Sequence, residues 1–128
     1  MFLILGTMRT DLPSVQTGFG KSAERQAPRF KVDFTVRVTT GSGMRTTFQG
    51  RAHDLSERGL SLYAFAELEE GQQVHLEFIP PFSRKVLKLT AIVRSRAGNR
   101  FGMELRNIHR DAAEELSRAC RTLSLTAQ

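Results

Sequence analysis

Two short stretches of this chain carry side chains whose types and spacing suit anion recognition. "ERQAPRF" (residues 24–30) sets Arg25 and Arg29 four positions apart, and "HDLSERG" (53–59) sets Asp54, Ser56 and Gly59 at the spacing D-x-S-x-x-G. A guanidinium is a planar fork of donors that grips phosphate oxygens and base edges bidentately and stacks on flat rings. Asp54 and Ser56 can accept local backbone hydrogen bonds, while Gly59 allows unusual torsions or a close approach of the backbone. Each motif is short: D-x-S-x-x-G reads equally well as a plain turn, and R-x-x-x-R carries little weight in a chain with fifteen Arg. Pro28 disfavours helical torsions at Ala27, so the arginine pair belongs on an extended loop and not on one helix face.

Other constellations are weaker. "GFGKS" (18–22) imitates the end of a phosphate-binding loop, but the glycine required five residues before Gly20 is Val15, and no strand precedes it. "GSG" (41–43) falls between two strand patterns and reads as a hairpin turn. His53, His75 and His109 share no metal-ligand spacing, and no metal site is expected. Cys120 falls on the apolar side of a helical pattern, where a thiol is buried and reduced. Ser56 has no base beyond neighbouring His53, and Glu69–Glu70 lie in a turn. No catalytic residue is assigned, and the chain is not expected to be an enzyme.

Composition frames these motifs. The 128 residues suit one domain, and the formal net charge is +6. Fifteen Arg against four Lys favours an anionic partner, or reflects a genome rich in G and C. Phe2–Leu5 is too short an apolar run to cross a bilayer and lacks a signal-peptide pattern. The expectation is a cytoplasmic protein without membrane insertion.

The elements that must position the motifs follow from periodicity. Residues 1–24, with Gly6, Pro13, Gly18 and Gly20, show no sustained pattern and read as a flexible tail. "KVDFTVRV" (31–38) alternates, with Val32, Phe34, Val36 and Val38 on one face. Further strands are expected from about Met44 to His53, over 59–64, 74–79, 86–93 and 101–105. "PPFSR" is a loop because proline donates nothing to a ladder. "RDAAEELSRACRTL" repeats apolar residues at helical spacing through Ala112, Leu116, Ala119 and Leu123, with Asp111 and Glu114 suited to its start and Arg118 and Arg121 to its end. The fold class is all-β (mainly β): a six-stranded antiparallel β-barrel with a C-terminal α-helix.

The order of these features, an arginine pair before the first strand, D-x-S-x-x-G ending the second, then "VRSRAGNRFGMELRN" as a late hairpin, resembles the PilZ domain family. That resemblance implies a domain over 25–125, with a ligand-binding loop at 25–30, a barrel over 31–107 and a helix over 109–125. It implies cyclic di-GMP as ligand, with Arg25, Arg29, Asp54, Ser56, Gly59 and Arg94 contacting it, and no cofactor. Guanine O6 and N7 are preferred targets of a guanidinium, while a carboxylate such as Asp54 accepts from guanine N1 and N2 hydrogens. Arg96 is a further candidate contact, and Glu24, just before the pair, bears on whether one ligand or two is bound. The resemblance further implies a receptor whose N-terminal loop rearranges on binding and signals through a protein partner in motility, chemotaxis or exopolysaccharide control. The alternative reading is a basic β-barrel that binds nucleic acid. It is disfavoured because Trp is absent and Tyr63 is the single tyrosine, which leaves few stacking platforms.

Overall fold

The computed structural model describes residues 27–41 and 45–126. Arg25, Glu24, the expected tail at 1–24 and "GFGKS" lie outside the described residues. Six strands, β1 (Phe30–Thr40), β2 (Thr47–Leu55), β3 (Gly59–Tyr63), β4 (Gln73–Phe78), β5 (Leu87–Ala97) and β6 (Arg100–Arg106), precede the helix α1 (Arg110–Thr126). They close into a barrel in the order β1-β2-β3-β6-β5-β4, every neighbouring pair antiparallel. Closure gives every strand a partner on both sides among the described residues, with β1 and β4 joined over Arg37–Thr40, and so protects edges that a short open sheet would expose.

Alternation decides what fills the barrel. Val36 and Val38, Leu60 and Leu62, Val74 and Leu76, Leu89, Ala91 and Val93, and Phe101 and Met103 all point inward and are buried. Each large apolar side chain taken from water contributes roughly 1.5–3 kcal/mol. α1 lies over the end of the barrel where β1 begins and β2 ends, adding Leu116 and Cys120 to the same core. Its buried face also contains Glu115, which accepts from Ser83 Oγ at 2.6 Å and from Arg118 Nη1 at 3.0 Å. This carboxylate is tolerated because both partners are present. Arg118 therefore serves Glu115 and not the helix C-terminus: the last turn holds no basic residue, contrary to the expectation for Arg118 and Arg121.

β2 starts at Thr47 and not near Met44, and β1 runs on to Thr40; two further strand ends, both beside the motifs, extend past the sequence reading for one physical reason. β2 continues past His53 to Leu55, and β5 continues past Val93 to Ala97. In each case the ladder shifts register by a bulge, between Ala52 and Asp54 on β2 and between Val93 and Ser95 on β5. A bulge inserts one residue and reverses the facing of those beyond it, so strict alternation ends there while pairing does not.

Candidate functional site

The bulges place the motif side chains together. Beyond the β2 bulge Asp54 faces outward opposite Ser61, Ser61 stands opposite Gly102, and Gly102 opposite Ser95. This row crosses four strands and, after Asp54, holds only small residues. It forms the floor of a groove on the outer face of the barrel. Consecutive outward positions on a strand are roughly 7 Å apart, so the larger neighbours one position along rise as walls.

The groove has two lobes of about 350 and 370 Å³ that share Arg29, Ser61, Ser95 and Gly102. The first is completed by Ser56, Arg58, Gly59, Arg94, Met103 and Glu104. The second is completed by His53, Asp54, Arg96, Ala97 and Arg100. Of the sequence-expected site residues, Arg29, Asp54, Ser56, Gly59 and Arg94 all line this groove.

Arg29, on the extended segment before β1, crosses the waist and donates from Nη1 to Asp54 Oδ1 at 2.5 Å. The other carboxylate oxygen of Asp54 lies 3.7 Å from His53 Nδ1. Arg29 remains half exposed and Asp54 about a quarter exposed. An ion pair this open contributes only about 0–1 kcal/mol, so an incoming anion can displace it.

Ser56 and Gly59 shape the loop between β2 and β3. Ser56 is buried; its hydroxyl accepts from Arg58 N and Gly59 N, each at 3.1 Å, and donates to Gly59 O at 3.3 Å. Its donor and both acceptor sites are thereby used, and what it offers the groove is the position of Arg58. Gly59 was expected to supply unusual torsions or a close approach to a ligand. The positive-φ glycines among the described residues are Gly71 and Gly98, not Gly59. A Cβ on Gly59 would stand 2.2 Å from Met103 O, so the glycine is there to let β3 and β6 approach.

The two candidate arginines of β5 differ in availability. Arg94 pairs through Nε with Glu104, which also lies 3.5 Å from Arg106 Nε. Arg96 donates from Nη1 to Leu68 O at 3.1 Å and lies over the Phe101 ring at 5.5 Å. It is largely committed to tying the β5–β6 hairpin to the β3–β4 loop. Arg58 and Arg100 complete the cationic lining, and neither forms an ion pair with a carboxylate among the described residues. Sequence reasoning missed Arg58, Ser61, Ser95, Arg100 and Gly102. The signal for three of them was the outward phase of β3 and β6, where Ser61, Gly102 and Arg100 fall opposite the inward apolar residues.

A larger cleft of about 860 Å³ opens at the opposite end of the barrel, around Thr40, Phe48, Phe65, Gln72 and His75. Its described lining contains no arginine or lysine, and no residue of either motif reaches it. Volume favours that cleft, whereas the chemistry of anion recognition favours the smaller groove.

The comparisons with known proteins agree with this geometry. A family model described as the PilZ domain matches residues 23–122. Among solved structures, the Bacillus subtilis inhibitor of motility MotI/DgrA superposes with a TM-score of 0.68 at 15% identity, over 81% of this chain and 53% of that one. The chain thus spans about half the length of MotI/DgrA. The PilZ domain of Escherichia coli YcgR, solved with c-di-GMP, gives 0.62 at 20% identity, over 80% of this chain and 93% of that one. The PilZ domain of CeSA from a cellulose-synthesizing bacterium gives 0.54 at 17%, over 79% and 99%. No curated protein sequence matches the chain.

Proposed function

The chain belongs to the PilZ domain family, and on that premise we propose that it is a cyclic di-GMP receptor that binds the dinucleotide in the two-lobed groove. The observation that carries this reading is the shape and lining of the groove. Two lobes with a common waist match a ligand built of two like halves, and arginines surround a floor of small residues. The waist residue, Arg29, meets the phosphates; Arg58, Arg94 and Arg100 reach guanine O6 and N7 or phosphate oxygens. Arg25, four residues before Arg29 in the sequence, joins it on the phosphates.

Binding is an exchange of partners. Arg29 is held by Asp54. A phosphate takes over the guanidinium, and the released Asp54 carboxylate accepts the N1 and N2 hydrogens of a guanine. The domain runs from 25 to 125, and the N-terminal loop at 25–30 rearranges on binding as Arg29 changes partner. The receptor then signals through a protein partner in motility, chemotaxis or exopolysaccharide control, without catalysis of its own. No helix among the described residues is long and apolar enough to cross a membrane, and we place the receptor in the cytoplasm.

Calorimetric titration with cyclic di-GMP tests the reading. Charge-assisted hydrogen bonds contribute roughly 1.5–3 kcal/mol each, so Arg25→Ala, Arg29→Ala and Asp54→Ala are each expected to weaken binding roughly 10- to 100-fold. Unchanged affinity in both arginine variants, or no binding by the native chain, overturns it.

A further inference from the structure

One wall of the second lobe is aromatic. On β3, the outward position after Ser61 is Tyr63, which stands opposite Arg100 on β6 and Arg51 on β2. Tyr63 is half exposed, unusual for a large ring on a barrel whose other outward strand positions are mostly charged or small. His53, the residue inserted by the β2 bulge, packs on it with ring centroids 4.5 Å apart and planes inclined by 38°. His53 lines the lobe beside Asp54 and Arg100.

The floor of that lobe is Ser61 and Gly102, which offer little apolar surface to a flat base. The carboxylate of Asp54 and the fork of Arg100 satisfy edges, not faces. A purine held by its edges alone leaves its π faces in water, and stacking on an aromatic ring is the general remedy. The bulge is what lets His53 and Asp54 face the lobe together: in regular alternation His53 would share the outward face of Arg51, but Asp54 would turn inward, away from it. Packed on Tyr63, the imidazole presents its other face to the lobe.

We propose that the His53–Tyr63 pair is the stacking wall for one guanine of the bound dinucleotide. This rests on the receptor reading above but is separable from it. His53 meets the base, and Tyr63 holds the imidazole in place while extending the apolar surface toward the groove mouth.

The chain supplies its own reporter, since Tyr63 is the only tyrosine and there is no tryptophan. Tyrosine emission of the full chain, titrated with cyclic di-GMP, is expected to change along the same isotherm that calorimetry records. His53→Ala and Tyr63→Ala are each expected to weaken binding on the order of 10-fold. His53→Phe and Tyr63→Phe restore most of it, which separates loss of a stacking face from loss of a polar group. Thermal melting of each variant identifies any that fails to fold, and the fluorescence titration of the native chain needs no variant. Calorimetric binding by the native chain with silent tyrosine emission, or with full affinity in both alanine variants, overturns the wall alone. Absence of binding by the native chain overturns the receptor reading and the wall with it.

Discussion

At the scale of single residues, two glycines of the groove separate folding from binding. A Cβ at Gly59 would press on Met103 O at 2.2 Å, a backbone atom that cannot move without parting β3 from β6. Gly59→Ala is therefore expected to destabilise the chain by about 2 kcal/mol or more, read from urea unfolding. At Gly102 the nearest obstacle is Ser95 Oγ at 2.5 Å, the end of a side chain with free rotamers. Gly102→Ala should cost well under about 1 kcal/mol in the same experiment, yet weaken cyclic di-GMP binding by raising the groove floor. The opposite pattern, a stable Gly59→Ala or a Gly102→Ala with native affinity, contradicts this division. His53 adds a residue-scale detail: its Nε2 is shut from solvent with no hydrogen-bond partner among the described residues. A buried polar atom without a partner is costly, consistent with a ring placed for its face and not for its nitrogen.

At the scale of elements, the β4–β5 loop is held by a network that its sequence alone does not advertise. Phe82 has φ 63°, a left-handed conformation that a bulky side chain adopts at a cost of about 1–2 kcal/mol. It is also well exposed, so little packing offsets that cost. The neighbouring Ser83 supplies the compensation by donating to buried Glu115 on α1, beside Arg118. Glu115→Ala leaves Ser83 and Arg118 without their acceptor and should destabilise by about 1–3 kcal/mol in thermal or urea unfolding. Phe82→Gly removes the strain and is expected to leave stability unchanged or raise it by up to about 1 kcal/mol. A Phe82→Gly variant that loses stability would show that the ring is needed where it stands.

At the scale of the whole molecule, α1 joins the site to the barrel end through the residues around Cys120. Pro28 and Phe30 from the Arg29 segment, and Glu57 from the D-x-S-x-x-G loop, surround a cleft closed by Ser117, Cys120 and Arg121. Burial pushes the Cys120 thiol up from its ordinary 9.0 to about 11, and the negative charge of Glu57 adds to the effect. The folded chain thus keeps a proton that the unfolded chain releases near pH 9. Its contribution to stability is complete below that pH, falls as pH rises, and is gone above about pH 11. Melting midpoints from pH 8 to 11 should fall more steeply for the native chain than for Cys120→Ala, and equal slopes would contradict this. The same burial makes the thiol slow to react with alkylating reagents at neutral pH.

Much of this molecule was legible from periodicity and spacing. The inward faces of six strands and the apolar stripe through Leu116 and Ala119 depend on local repeats of two and 3.6 residues. Arg29, Asp54, Ser56 and Gly59 were singled out because their order resembles a known family's, and Arg94 by its register at the end of a strand; all five line the groove. What the tertiary structure decided lies in pairing across strands. The row Asp54–Ser61–Gly102–Ser95 joins residues from four strands, and only the ladder registers bring them into line. The bulges that turn Asp54 and Ser95 onto one face arise from mismatched strand partners, which no single strand encodes. The same holds for His53 on Tyr63 and for Ser83 on Glu115. Side-chain period is a property of one segment, whereas a groove is a property of how segments are aligned, and closure of the barrel sets that alignment.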